Sequence, residues 1–391
     1  MLQRIRRFLA LATFLLLVPT SPTATSAQAV TLAEARSRTI PVVFQFERQI
    51  TEDVGRDGIG GITAAAFVGN EVFWIKGFGW ADQQRQIAAG SRTIYRIGAI
   101  SKSFTAVAMA QLAAEGRFDL DDPVVQYFPP LRQLAATESE INAISFRRLA
   151  SHTAGLIREP NLPDAAAGPI AEWEDKVIAS LPTVTLLGPP GEQYSYSNIG
   201  FGALGLATSR VARRPFMDLV RERIIGPLGM NNTMFIMTAS LQPHLAVGYM
   251  VDDDSTVSIA LPELEHAGRG YKVPNGGIYS NVADLARFAS GVMGTSPTPL
   301  LPPQMREEMM RVQTPEDSAN GYGLGFTIRT LENGMKTVGH GGSVAGYNAT
   351  IVFDPETTLG VVMLRNYNRG LTNLGRAATD LLQELVAATT R

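Results

Sequence analysis

Hydrophobic and polar residues alternate most clearly at the two ends of the chain. "GITAAAFVGNEVFWIKGFGWAD", Gly61 to Asp82, holds two runs rich in β-branched and aromatic residues on either side of Gly69-Asn70. That dipeptide supplies the left-handed conformation a tight hairpin needs, so the spacing predicts an antiparallel pair. A helix is predicted from Ser101 to Glu115, with an amphipathic run and Gly116 placed to end it. From Asp119 to Gly270 the pattern changes to short helical segments punctuated by proline, such as "DLDDPVVQYFPP" and "PFMDLVRERIIGPLGM". The strand pattern returns from Gly321 in "YGLGFTIRT", "KTVGHGG", "NATIVFDP" and "TLGVVMLRNY", and "LGRAATDLLQELVAAT" closes the chain as a helix.

Strands at both ends with helices between them imply that the ends pair in one sheet. The predicted fold class is α/β (α+β): an antiparallel sheet flanked by helices, plus an inserted all-helical lobe. The expected division is 30–118 with 271–391 for the sheet lobe and 119–270 for the helical lobe, with the functional cleft between them.

The first 29 residues stand apart. Arg4, Arg6 and Arg7 precede an apolar core from Phe8 to Val18, and Ala27-Gln28-Ala29 forms a small-x-small site. This pattern predicts a secretory leader removed after Ala29, with export to a bacterial periplasm or the medium. The apolar core is about half of the roughly 20 residues that span a bilayer, and no later run approaches that length, so no stable membrane span is expected after leader removal.

Composition narrows the chemistry further. The net charge of −2 becomes more negative once the leader's three arginines are lost, which gives no electrostatic basis for binding nucleic acid. Absence of cysteine removes disulfides, thiolate metal sites and a cysteine nucleophile. The four histidines show no His-x-x-x-His pair, so neither a metal nor another cofactor is expected. Among them, His152 fits a helix-end hydrogen-bonding role, and His244 and His266 fall in loops.

Three separated motifs carry candidate chemistry. Ala99-Ile100-Ser101-Lys102 would be Ser-x-x-Lys if position 99 were serine. Residues three apart share a helix face, so the Lys102 amine could take a proton from a group on residue 99. Ser101 and Ser103 each lie about 100° around the helix from Lys102 and do not share that face. Tyr196-Ser197-Asn198 offers a phenol for proton transfer and an amide for orienting Lys102 and a substrate carbonyl. His340-Gly341-Gly342 is a sheet-edge triplet whose glycines allow close approach to an extended substrate.

In this order, together with "LASHTAGL", "PGEQYSYSN", "GPLGMNNT", "NGGIYSNVADLARF" and "GYGLGF", these motifs make the chain resemble the serine β-lactamase and penicillin-binding-protein superfamily. The likeness is to the branch of class C β-lactamases, D-alanyl-D-alanine peptidases and esterase-like enzymes, and it runs from about Ile62 to Leu364. It implies cleavage of an amide or ester through an acyl-enzyme on residue 99, with a β-lactam, D-amino-acid peptide or ester as substrate. Lys102 would then be the base and Tyr196 the proton shuttle. Asn198 would hold the acyl side of the substrate, and His340, Gly341 and Gly342 would line the strand edge. The N–H groups of residue 99 and Ser343 would form the oxyanion hole.

Ala99 is where the chain departs from the pattern. It is either a substituted nucleophile or the mark of a natural non-catalytic homologue that binds peptidoglycan peptides or a protein partner. Both readings make this chain acylation-deficient. A solute-binding protein would also suit export and two lobes, but leaves Lys102, Tyr196 and His340 without a role.

Overall fold

The computed structural model describes residues 29–315 and 321–390; the leader segment ahead of Ala29 lies outside them. Among the described residues the main sheet has eight antiparallel strands. They are β1 (Gly61–Val68), β2 (Glu71–Asp82), β3 (Ile87–Ala88), β4 (Gly321–Tyr322), β5 (Thr327–Thr330), β6 (Lys336–Val344), β7 (Tyr347–Phe353) and β8 (Leu359–Arg365). Their spatial order is β3-β2-β1-β8-β7-β6-β5-β4. The two ends of the chain meet in the middle of the sheet, where β1 pairs with β8 from Ile62↔Arg365 to Val68↔Leu359.

Both central strands are buried along their whole length, which explains their nearly unbroken apolar sequences. The two-residue period of a strand divides them between two cores. Ala64, Ala66, Val361 and Met363 face one side, with Ile50 and Val54 of α2 (Ile40–Asp57) and Leu374, Ala378, Leu381, Leu382 and Leu385 of the C-terminal helix (Leu374–Thr389). The C-terminal helix carries these residues at helical spacing, one stripe of an amphipathic surface. Ala65, Val362 and Leu364 face the larger core shared with the interposed helices. A short helix, α1 (Leu32–Arg38), precedes α2 and begins with a capping box between Thr31 and Glu34.

The central helix, α3 (Ser101–Ala114), differs from its amphipathic expectation: from Ser101 to Ala110 every residue is buried. It lies between the sheet lobe and the interposed helices, so no side meets water until Gln111. The interposed segment is predominantly helical, but Met250–Val251 and Val257–Ser258 pair as a small ribbon within it. Its longest helix is α4 (Asn198–Ala212), whose N-cap Ser197 accepts a bond from the Gly200 N–H. No described helix is long and apolar enough to cross a membrane.

Candidate active site

Position 99 sits on a 3₁₀ turn, Gly98–Ile100, that leads directly into α3. Gly98 has φ of 52°, and a Cβ there would lie 2.8 Å from the Ser343 nitrogen. A Cβ on Gly342 would lie 2.0 Å from the Ile97 carbonyl oxygen and 3.1 Å from the Ala99 nitrogen. The turn and β6 therefore pack backbone against backbone, an approach that only glycine allows. This contact brings the main chain of residues 99 and 343 to one place. Gly341 is different: the nearest atom to a Cβ there is the Ala349 oxygen at 3.9 Å, and its free side opens onto the cleft.

The cleft has a volume of about 720 Å³ and runs from Ala99 past Asn348 to the start of the C-terminal helix. Lys102, Tyr196, Asn198, Gly341, Gly342 and Ser343 all line it, so motifs far apart in sequence share one cavity. On its helical side the polar groups interlock. Lys102 Nζ donates to Asn198 Oδ1 at 2.7 Å and to the Asn275 carbonyl at 3.3 Å. Asn198 Nδ2 donates to Glu159 Oε1 at 2.5 Å, and Asn275 Nδ2 donates to the Asn198 carbonyl at 2.9 Å. Glu159 also accepts a short bond from the Tyr271 hydroxyl and pairs with Lys272 Nζ at 3.1 Å.

Burial is the main cause holding the Lys102 amine well below its ordinary pKa, and the nearby charges of Arg158 and Lys272 push it in the same direction. Among its charged neighbours only Glu159 opposes them. Disfavouring the charged form brings the amine closer to the unprotonated state that a base requires. For Glu159 itself, burial works to raise the pKa, but bonds from Tyr271 and Asn198 and the Lys272 charge together lower it. It is a carboxylate at neutral pH.

Tyr196 meets Lys102 through its ring, with Nζ 4.8 Å from the centroid, rather than through a hydrogen bond to its hydroxyl. Burial raises the Tyr196 pKa, so the phenol keeps its proton at neutral pH. Beneath this ring lies His152, with centroids 4.1 Å apart. Its Nδ1 accepts the Ser197 N–H at 3.0 Å, while Nε2 has no hydrogen-bond partner among the described residues. His152 thus fixes the loop that carries Tyr196 and Asn198, and burial keeps it neutral.

His340 lies on β6, but its side chain turns from the cleft toward Tyr322, whose hydroxyl is 2.8 Å from Nε2. Burial and the Lys102 charge lower its pKa to about 4. At neutral pH it supplies no cation. Ser343 Oγ donates to Asn348 Oδ1 at 3.1 Å. His266 lies elsewhere, against the Tyr279 hydroxyl, and no described cluster of acidic, histidine or cysteine residues could hold a metal.

Sequence reasoning passed over Arg158, Glu159, Tyr271 and Lys272 as site residues. Adjacent opposite charges just after "SHTAGLI" were the available signal, since charges near an apolar segment need partners.

A lysine set one turn beyond a helix-entry residue, under a sheet edge and facing a Tyr-x-Asn loop, has the architecture of the β-lactamase and penicillin-binding-protein class of hydrolases. The Beta-lactamase family profile matches residues 46–385, and the chain belongs to that family. It is 25% identical over 324 residues to Protein flp of Staphylococcus aureus strain N315, an alignment covering 83% of this chain and 63% of that protein. It is 26% identical over 327 residues to Beta-lactamase-like protein 2 of Dictyostelium discoideum, covering 81% and 58%. The chain thus spans about three fifths of the length of these curated relatives. Among solved structures, an octameric penicillin-binding protein homologue from Pyrococcus abyssi matches with a TM-score of 0.74 and 25% identity, covering 88% of this chain and 77% of that one. A D-stereospecific amidohydrolase from Streptomyces sp. matches with a TM-score of 0.69 and 25% identity, covering 86% and 98%.

Proposed function

We propose that this cleft binds an amide or ester and that residue 99 is the position from which the family's acyl transfer is carried out. The observation that carries the reading is the Lys102 amine, buried one turn past residue 99 and held at 2.7 Å by Asn198. With serine at 99, its hydroxyl proton would pass to Lys102 while its oxygen bonds to the substrate carbonyl carbon. The N–H groups of residues 99 and 343 would stabilise the resulting oxyanion. Tyr196 would pass a proton to the leaving group as the scissile bond breaks, and water would then release the acyl group. Alanine has no hydroxyl, so this chain binds substrate and stops before the first bond forms.

The same reading extends to location: the leader is removed after Ala29 and the protein acts outside the cytoplasm. A β-lactam, D-amino-acid peptide or simple ester is the substrate class. A second reading, a natural binding protein for peptidoglycan peptides or for a protein partner, is favoured by one observation. The network of Lys102, Asn198, Glu159 and Asn275 is complete with alanine at position 99.

Ala99→Ser separates the two. Electrospray mass spectrometry with a panel of esters, penicillins and D-peptides is expected to show an acyl adduct on residue 99 of the variant and none on the parent chain. Lys102→Ala in the Ala99→Ser background should abolish the adduct. A folded Ala99→Ser protein that acylates with no member of the panel would leave the binding-protein reading in its place.

A further inference from the structure

The charges along the cleft are strongly unbalanced. Arg158, Arg269, Lys272, Arg365 and Arg369 line it besides Lys102, and Glu159 is the only acidic residue among its lining residues. Most of these cations are already committed. Arg365 donates to the carbonyls of Tyr367, Asn368 and Thr372, Arg369 pairs with Asp253, and Arg269 lies 3.1 Å from Glu265. Beside Asn198, by contrast, two cations share one carboxylate. Lys272 takes Glu159 Oε2 at 3.1 Å, whereas Arg158 reaches Oε1 only through Nε at 3.8 Å.

Arg158 is also built to present its remaining donors. Its guanidinium carbon lies 4.7 Å from the centre of the Tyr196 ring, which holds the plane over the cleft wall. Its side chain is 64% exposed. Its two terminal nitrogens have no hydrogen-bond partner among the described residues. A planar fork of this kind matches the two oxygens of a carboxylate better than any other side chain. Asn198 donates one amide hydrogen to Glu159 and keeps its second for a ligand. An amide carbonyl and, a few bonds further on, an anion would therefore meet Asn198 and Arg158 in sequence. His340 lends no positive charge from the opposite strand at neutral pH.

We propose that Arg158, backed by Lys272, is a specificity-determining residue that binds a carboxylate carried on the acyl side of the substrate, next to Asn198. This rests on the reading that Asn198 faces the acyl portion. It selects dicarboxylic half-amides and half-esters, or peptides with an acidic residue there, over neutral acyl groups. Lys272 keeps Glu159 engaged, so the single nearby carboxylate does not cancel Arg158.

Because Ala99 leaves the ligand intact, the parent chain can be tested directly. Calorimetric titration compares glutaryl p-nitroanilide, with a free terminal carboxylate, against its terminal carboxamide. A charge-assisted pair predicts roughly tenfold tighter binding of the carboxylate. Arg158→Gln should remove that preference while leaving carboxamide affinity within about twofold, because only the charged contact is lost. Arg158→Glu should turn the preference toward the 5-aminopentanoyl analogue. Equal affinity for the pair, or undetectable binding of the carboxylate, overturns the proposal. So does an Arg158→Gln variant that weakens both ligands alike, which would make Arg158 a support for Tyr196 only. The matching p-nitrophenyl esters tested on Ala99→Ser probe the acyl-transfer reading separately. No nitrophenol release with the calorimetric preference intact removes acyl transfer and keeps the anion site, whereas release without preference does the reverse.

Discussion

The two walls of the cleft are made by opposite means. The helical wall is a mesh of side chains in which Lys102, Asn198, Glu159, Tyr271 and Lys272 each hold another member. The strand wall, from Gly341 to Ser343, offers the cleft mainly peptide groups, and its shape depends on side chains that are missing. Side-chain mesh tolerates change by losing a bond or two, because a side chain can rotate to a new partner without moving the backbone. Backbone-on-backbone contact has no such reserve, since a peptide group cannot move aside without taking the strand along.

Two adjacent glycines give the sharpest test of that difference. Gly342→Ala would set a methyl group 2.0 Å from the Ile97 oxygen, and should cost about 3 kcal/mol or more of unfolding free energy. Gly341→Ala has room, so its stability should change by less than about 1 kcal/mol while ligand affinity falls. Urea titration of both variants checks the pair, and similar stabilities would break the comparison.

His340 brings a pH dependence to the strand wall. Its imidazole is held neutral to about pH 4, whereas in the unfolded chain it takes a proton near pH 6.5. Between these values the unfolded state binds more protons, so stability is full above pH 6.5 and falls as the pH drops toward 4. Melting temperature is expected to fall by several degrees over that window. His266, also lowered to about 4, contributes in the same direction. His340→Gln, which can still meet the Tyr322 hydroxyl, should flatten part of the slope; an unchanged slope would show that His340 does not carry it.

On the helical wall, Glu159→Gln should cost only about 1 kcal/mol, because the carboxylate is partly solvated and an amide can keep part of its bonding. The more specific expectation is electrostatic. Losing the one neighbour that favours the charged form should lower the Lys102 pKa further, seen as a shift of the acidic limb of an Ala99→Ser pH–rate profile to lower pH. Asp253→Ala, at the far end of the cleft, removes an ion pair with Arg369 that is open to solvent on both sides. A stability change under about 0.5 kcal/mol is expected from chemical denaturation.

What could be read in advance follows the same division. The hairpin around Gly69-Asn70, the return of strands after Gly321 and the closing helix were legible because turn chemistry and periodicity are local properties. Lys102, Tyr196, Asn198, Gly341 and Gly342 were legible as motifs, and all line one cleft. Arg158, Glu159 and Lys272 were not, since their importance arises only when the loop after His152 is folded against the segment from Tyr271 to Asn275. The α1 and α2 helices went unread even though Val43, Phe46, Ile50 and Val54 of α2 recur at helical spacing against the second core; exposed Ile40 and Phe44 on the other face blur that pattern in the sequence.

The junction between β1 and β8 also constrains the order in which the molecule can assemble. The hairpin of β1 and β2 can form as soon as residues 61–82 are made, but the inner edge of β1 has no partner until residues 359–365 arrive. During synthesis the most apolar strand of the sheet therefore waits with one row of peptide groups unpaired, a template for intermolecular pairing. Contacts between distant parts of a chain also form slowly, because the intervening loop must first be closed. Folding should be limited by this late closure, and a chain cut short before β8 would keep its hairpin yet lose the partner that joins the two halves of the sheet.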